Sequence, residues 1–172
     1  MTTTVTTSFE TPHGPFTVIA REGVVFASGW TGKAGELLPL IHRTLRPEAD
    51  AVEPVPTNDE RVRAIADAVT QYYEGDFEAA ARVPVQQHSG EFRMLAWDAL
   101  RQVTPGAPIT YTEFANRAGR PAAVRAAASA CAMNAAALFV PCHRILRSDG
   151  TLGGFRYGTD IKDRLLALER RG

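Results

Sequence analysis

Cysteine is scarce in this chain of 172 residues: Cys131 and Cys142 are the only two. Two thiols cannot build a disulfide framework or a four-cysteine zinc site. No apolar run approaches the ~20 residues a membrane-crossing helix needs, so no membrane partner is expected. The opening Met1-Thr2-Thr3-Thr4 lacks the basic region and apolar stretch of a secretory leader, and a cytoplasmic, reduced setting is expected. Net charge is missing too, with 19 Lys+Arg against 19 Asp+Glu, which by itself argues against a general nucleic-acid binder. The balance conceals an asymmetry: residues 1–90 hold 7 Lys+Arg and 12 Asp+Glu, residues 91–172 hold 12 and 7. That excess of cations is either scatter of solvated charges or the mark of an anionic partner for the C-terminal half. What is present, 45% hydrophobic and 22% charged residues, is ordinary for a globular protein of one domain or two small ones.

Short β-prone pieces punctuated by glycine, 6–10, 16–21 and 24–30, predict an antiparallel meander with tight turns. Leu37, Leu38, Leu40, Ile41 and Leu45 predict a helix over 36–45. Pro47, Pro54 and Pro56 make 46–57 a loop. Asn58 or Asp59 then caps a helix to about Glu74 that turns Val62, Ile65, Ala66 and Val69 inward. Val83-Pro84-Val85 reads as a weak edge strand. His42 and His88 receive no role.

The second half reads as helical. Phe92, Leu95, Ala96, Ala99, Leu100 and Val103 line one side of 91–103. Thr110 begins a short helix closed by Gly119, and Pro121 opens a second over 122–133, which together make a helix-turn-helix. The second helix is nearly all small residues with one large cation, Arg125. Such a surface suits either tight packing of two helices or close, sequence-indifferent approach to DNA with Arg125 as an inserted finger.

Pro141-Cys142-His143-Arg144 follows an apolar run. A free thiol is only a few per cent thiolate at neutral pH, so a nucleophilic Cys142 needs a neighbour that takes its proton. His143 is the candidate, and Pro141 predicts a turn that brings the two together or leaves room for a bridging water. Otherwise Cys142 is an inert core thiol and His143 a satisfied imidazole. The glycine-rich 151–158 is neither a P-loop nor a dinucleotide fingerprint; beside a thiol it suggests a backbone wall closing over a flat ligand. Thr159 or Asp160 caps a last helix, with Lys162, Leu165, Leu166 and Glu169 at helical spacing.

Together these residues resemble the O6-alkylguanine-DNA alkyltransferases, also called methylated-DNA–protein-cysteine methyltransferases. The likeness covers about 91–169, through Phe92 to Trp97, Pro105-Gly106, Thr110-Tyr111, Gly119-Arg120-Pro121, Ala123 to Ala126, Asn134, Pro141 to Arg144, Gly153 to Gly158 and Lys162 to Leu166. Arg125 lies 17 residues and Asn134 lies 8 residues before Cys142. Within the family the chain most resembles the C-terminal domain of bacterial Ada. The resemblance implies an α+β fold, with a small ribonuclease H-like antiparallel-sheet domain over 1–88 and a mostly helical domain over 89–172 that carries a winged-helix-like helix-turn-helix.

It also implies single-use DNA repair. Cys142 would take the alkyl group from O6-alkylguanine, with O4-alkylthymine a further candidate, and keep it irreversibly. His143, through an intervening water, would accept the thiol proton, and Glu169 would orient His143. A monomer would bind double-stranded DNA through the minor groove, with Ala123 and Ala126 against it, and rotate the damaged base out of the stack. Arg125 would fill the vacated space, and Tyr111 would crowd the rotating phosphate and donate to guanine. Asn134 would tie the helix-turn-helix to the active-site turn, and Tyr111, Asn134, Cys142, Ile145, Arg156 and Tyr157 would line the base pocket. No cofactor and no metal are implied, and two cysteines cannot supply Ada's four-cysteine zinc module. Phe155 stands where many members have Tyr, and Ala135 where many have Pro. A lesion-binding module without transfer and a thiol hydrolase are the readings from other classes.

Overall fold

The computed structural model describes residues 2–172 and divides into two compact units. The first runs to His88 and takes in Ala135–Phe139; the second holds Ser89–Asn134 and Val140–Gly172.

In the first unit, β1 (Thr4–Thr11), β2 (Gly14–Arg21) and β3 (Val24–Gly29) form the antiparallel meander. Its turns need positive φ, supplied by Gly14 at 99° and by Glu22 and Gly23 at 52° and 76°. Residues 16–20 of β2 are buried on both faces, and Phe16 packs edge-on against Trp30. The 36–45 helix does not form. Only α1 (Ala34–Leu37) is helical, followed by a 3₁₀ turn over Leu38–Leu40 and extended Ile41. Pro39 removes the amide that would continue the ladder.

The sheet is mixed rather than purely antiparallel, because 46–57 contains β4 (Val52–Pro54), which pairs parallel with β1 and gives the order β3-β2-β1-β4. Helix α2 (Arg63–Tyr73) starts later than expected, because Asp59 caps a turn ahead of it: its carboxylate accepts from Arg61 N at 2.9 Å and its carbonyl from Val62 N and Arg63 N. The Tyr73 hydroxyl accepts from Trp30 Nε1 at 3.0 Å. Val83-Pro84-Val85 makes one bridge, Val25 to Val85. Segment Ala135–Phe139 bridges to β3 through Ser28, whose hydroxyl donates to Ala137 O at 2.7 Å.

In the second unit, α3 (Glu91–Leu100) buries Ala96, Trp97 and Leu100. A two-residue strand, β5 (Ile109–Thr110), precedes α4 (Tyr111–Arg117), whose N-terminus is capped by the Thr110 hydroxyl accepting from Glu113 N. Helix α5 (Val124–Ala132) begins two residues later than Pro121 suggests, the proline lying in the turn. The small residues of α5 do pack tightly: Ala127 and Ala130 are fully buried, and Trp97 Nε1 donates to Ala130 O at 2.9 Å. Strand β6 (Ile145–Leu146) pairs parallel with β5, and α6 (Thr159–Arg171) buries Lys162, Leu165, Leu166 and Glu169 along one stripe.

Candidate active site

Pro141 ends the incoming segment, and Cys142–Arg144 closes a single 3₁₀ turn, with Cys142 N donating to Val140 O at 2.8 Å and Arg144 N to Pro141 O at 3.1 Å. The turn separates two successive side chains by function. Cys142 keeps a part-exposed edge, whereas His143 has no exposed surface.

His143 faces α6. Its Nε2 lies 2.7 Å from Glu169 Oε2, and neither side chain is exposed. The same carboxylate accepts from Arg144 Nε at 2.9 Å and Nη2 at 3.1 Å, while Arg144 Nη1 donates to Val103 O at 3.0 Å. A buried carboxylate is tolerated here because a guanidinium fork holds it. Burial pushes the Glu169 carboxyl up, but His143 and Arg144 outweigh it and hold it at about 2. Burial lowers His143 against the pull of Glu169, so the imidazole is neutral at neutral pH. Glu169 accepts from Nε2–H, which fixes the tautomer and leaves Nδ1 as an acceptor without a protein partner among the described residues.

On the other side of the turn, Asn134 Nδ2 lies 2.8 Å from Val140 O and 3.3 Å from Cys142 Sγ. Burial raises the Cys142 thiol, while the Asn134 hydrogen bond and the nearby Lys162 and Arg156 cations oppose that rise. Tyr111 presses its ring edge on Gly153, where an added Cβ would meet Cε2 and the hydroxyl at 3.4 Å. Burial, then Cys131 and Cys142, push the phenol up to about 12, so it stays protonated as a donor. Gly106, at φ +80°, brings the 105–106 turn against the main chain of Glu169; a Cβ there would lie 3.1 Å from Glu169 O.

A family model described as the DNA binding domain of 6-O-methylguanine DNA methyltransferase matches residues 91–171. The methylated-DNA–protein-cysteine methyltransferase of Methanosarcina acetivorans is 32% identical over 162 residues, 94% of this chain and 95% of that protein. The chain belongs to the methylated-DNA–protein-cysteine methyltransferase family. The bifunctional transcriptional activator/DNA repair enzyme Ada of Escherichia coli is 45% identical over 87 residues, 51% of this chain and 25% of Ada. The inducible methyltransferase of Bacillus subtilis is 37% identical over 114 residues, 66% of this chain and 63% of that protein. The chain thus spans a quarter of the one and under two thirds of the other. The Mycobacterium tuberculosis OGT structure in complex with DNA matches with a TM-score of 0.76 at 25% identity, over 97% of this chain and 93% of that one.

In this family member the residues singled out in the sequence do not all come together. Cys142, His143, Asn134 and Glu169 meet at the 3₁₀ turn. Arg125 and Ala126 stand exposed at the start of α5, with half-buried Ala123 as its N-cap. Ile145 is buried in β6 and its carbonyl accepts from Lys162 Nζ at 2.7 Å. The Arg156 guanidinium reaches back to Ala132 O at the end of α5, and the half-buried Tyr157 ring stands edge-on to Phe155. Two buried charges received no role from sequence: Arg144 and Lys162. Lys162 lies on the buried stripe of α6 with Glu169, and Arg144 directly follows the imidazole.

Proposed function

We propose that the protein repairs O6-alkylguanine in double-stranded DNA by transferring the alkyl group, once and irreversibly, to Cys142. The observation that carries this reading is the buried His143–Glu169 pair at 2.7 Å beside Cys142, whose sulfur accepts from Asn134.

Proton transfer runs from Cys142 Sγ through one water to His143 Nδ1, and Glu169 stabilises the imidazolium that results. The thiolate attacks the alkyl carbon; the S–C bond forms as the C–O6 bond breaks, and the bonding pair leaves with O6. The guanine anion takes up a proton, for which the Tyr111 hydroxyl is the donor; Tyr111 is reprotonated from solvent, and the His143 imidazolium returns the thiol proton to solvent. Nothing in this exchange consumes a cofactor or a metal. A thioether has no easy hydrolytic route, so each molecule acts once.

The target base must leave the stack to reach the sulfur. Helix α5 lies in the minor groove with Ala123 and Ala126 against the strand, because degenerate readout suits a protein that must ignore sequence. Arg125 occupies the gap, and the backbone of Cys142, Ile145 and Arg156 with Tyr157 lines the base pocket. The protein acts as a cytoplasmic monomer; no helix among the described residues is long and apolar enough to cross a membrane. O4-alkylthymine is a second candidate lesion.

Incubation with duplex DNA carrying O6-methylguanine, followed by mass spectrometry, tests the proposal. The peptide containing Cys142 gains one CH2. An unchanged peptide under conditions of full DNA binding overturns transfer in favour of a lesion-binding module, and repeated turnover on an ester favours a hydrolase.

A further inference from the structure

Among the described residues Lys162 is the one buried cation that the chemistry above does not use. It sits in the first turns of α6 with no exposed surface, and its ammonium donates to Ile145 O at 2.7 Å and Gly154 O at 3.4 Å. Both acceptors are neutral. Among the described residues no carboxylate lies within ion-pair distance, and the buried carboxylate of the same helix, Glu169, is committed to His143 and Arg144. Lysine is almost never fully buried unless it is paired, because an ammonium without a counter-charge loses its hydration for nothing.

The groups that face Lys162 identify where the missing charge arises. Burial, the largest influence, lowers the ammonium from its ordinary value; the charges of Cys142 in the 3₁₀ turn and Cys131 of α5 pull it back up, and Arg147 in the following loop, a like charge, adds to the lowering. Around Cys142 stand Asn134, Lys162 and Arg156, and around Tyr111 both thiols and Arg147. Burial and then Cys142 raise the Cys131 thiol well above its ordinary value, and the reaction gives it no proton acceptor. The group beside Lys162 that becomes anionic during work is therefore the Cys142 sulfur.

Resting on the reading of Cys142 as the nucleophile, we propose that Lys162 is the counter-ion of the Cys142 thiolate, held in place by the Ile145 and Gly154 carbonyls. When the S–H bond breaks, the proton goes to His143 and the sulfur's charge forms opposite the ammonium. When the S–C bond forms, that charge departs with guanine O6, and Lys162 is again a buried cation without a partner. The two carbonyls give it a second task as a positioning residue: one belongs to β6 leaving the active-site turn and the other to the glycine-rich wall. Lys162 pins the wall to the turn while it charges the thiol.

The test compares wild type with Lys162→Met, an apolar side chain of similar length, in the pH dependence of Cys142 alkylation by iodoacetamide. Mass spectrometry separates modification at Cys142 from that at Cys131. The midpoint is expected to move up in the variant, and the rate at neutral pH to fall roughly tenfold, the effect of losing one nearby opposite charge. An unmoved midpoint in a folded variant overturns the counter-ion role, even if repair of DNA is slower, since a loosened wall slows repair without touching the thiol's acidity. A second measurement does not require Lys162→Met to fold: 13C-lysine NMR titration of wild type and Cys142→Ser. Coupling between the two groups is reciprocal, so Lys162 must lose its proton at lower pH in Cys142→Ser; equal midpoints overturn the proposal. Iodoacetamide profiles as expected, with no methyl taken from DNA, refute repair and leave the pair standing.

Discussion

Replacing Glu169 by Gln removes one charge and almost no volume from the most enclosed part of the site. The carboxylate receives His143 Nε2 and two arms of Arg144, and none of its side chain is exposed. Glutamine keeps one acceptor oxygen, but Arg144, 6% exposed, loses its counter-charge. Removing one partner of a buried pair costs ~3–5 kcal/mol. A separate route gives a similar figure: a carboxyl held at about 2 instead of its ordinary 4.5 contributes about 3 kcal/mol to folding by linkage. The folded value is depressed, so this contribution is fully present above the unfolded value and is lost as pH falls through the folded one. Urea unfolding at neutral pH is expected to show Glu169→Gln less stable by about 3 kcal/mol, with Tm lower by roughly 6–12 °C for a chain of this size. The gap between the two proteins should close between about pH 4.5 and about pH 2. Equal stability at neutral pH, or a gap that does not change with acidification, refutes the claim that this carboxylate is ionised and paired in the folded state.

Two other perturbations separate the parts of the proposal. Arg125→Ala is expected to slow repair of O6-methylguanine in duplex DNA while reaction with a free O6-alkylated base stays close to wild type; equal losses in both assays contradict the finger role. Gly106→Ala forces a Cβ to within 3.1 Å of Glu169 O at φ +80°. It should cost on the order of 1–3 kcal/mol in urea unfolding and slow alkylation of Cys142 as the carboxylate is displaced.

The readable parts of the fold were those where local chemistry decides. Glycine at 14 and 23 fixed two hairpin turns, and Thr110 with Glu113 fixed a helix start. Misreadings came where a longer-range or competing interaction decided. Leu37 to Leu45 has helical spacing, yet Pro39 breaks the ladder in its middle. Strand β4 was hidden by Pro54 and Pro56, because an edge strand that pairs on one side only tolerates proline. At the site, Cys142, His143, Asn134 and Glu169 were legible through resemblance and spacing. The burial of Arg144 and Lys162 was not, because a charged side chain reads as solvated until the helix that covers it has been placed.

The excursion of Ala135–Phe139 into the first unit bears on any attempt to dissect the molecule. The two ends of the Asn134-to-Cys142 hydrogen bond stand on opposite flanks of that excursion, and within it Leu138 and Phe139 are 2% and 1% exposed. A fragment made by cutting at His88 would retain every member of the thiol cluster and still offer water a greasy five-residue stretch between Asn134 and Val140. Biochemists trimming the gene should leave both halves in one open reading frame.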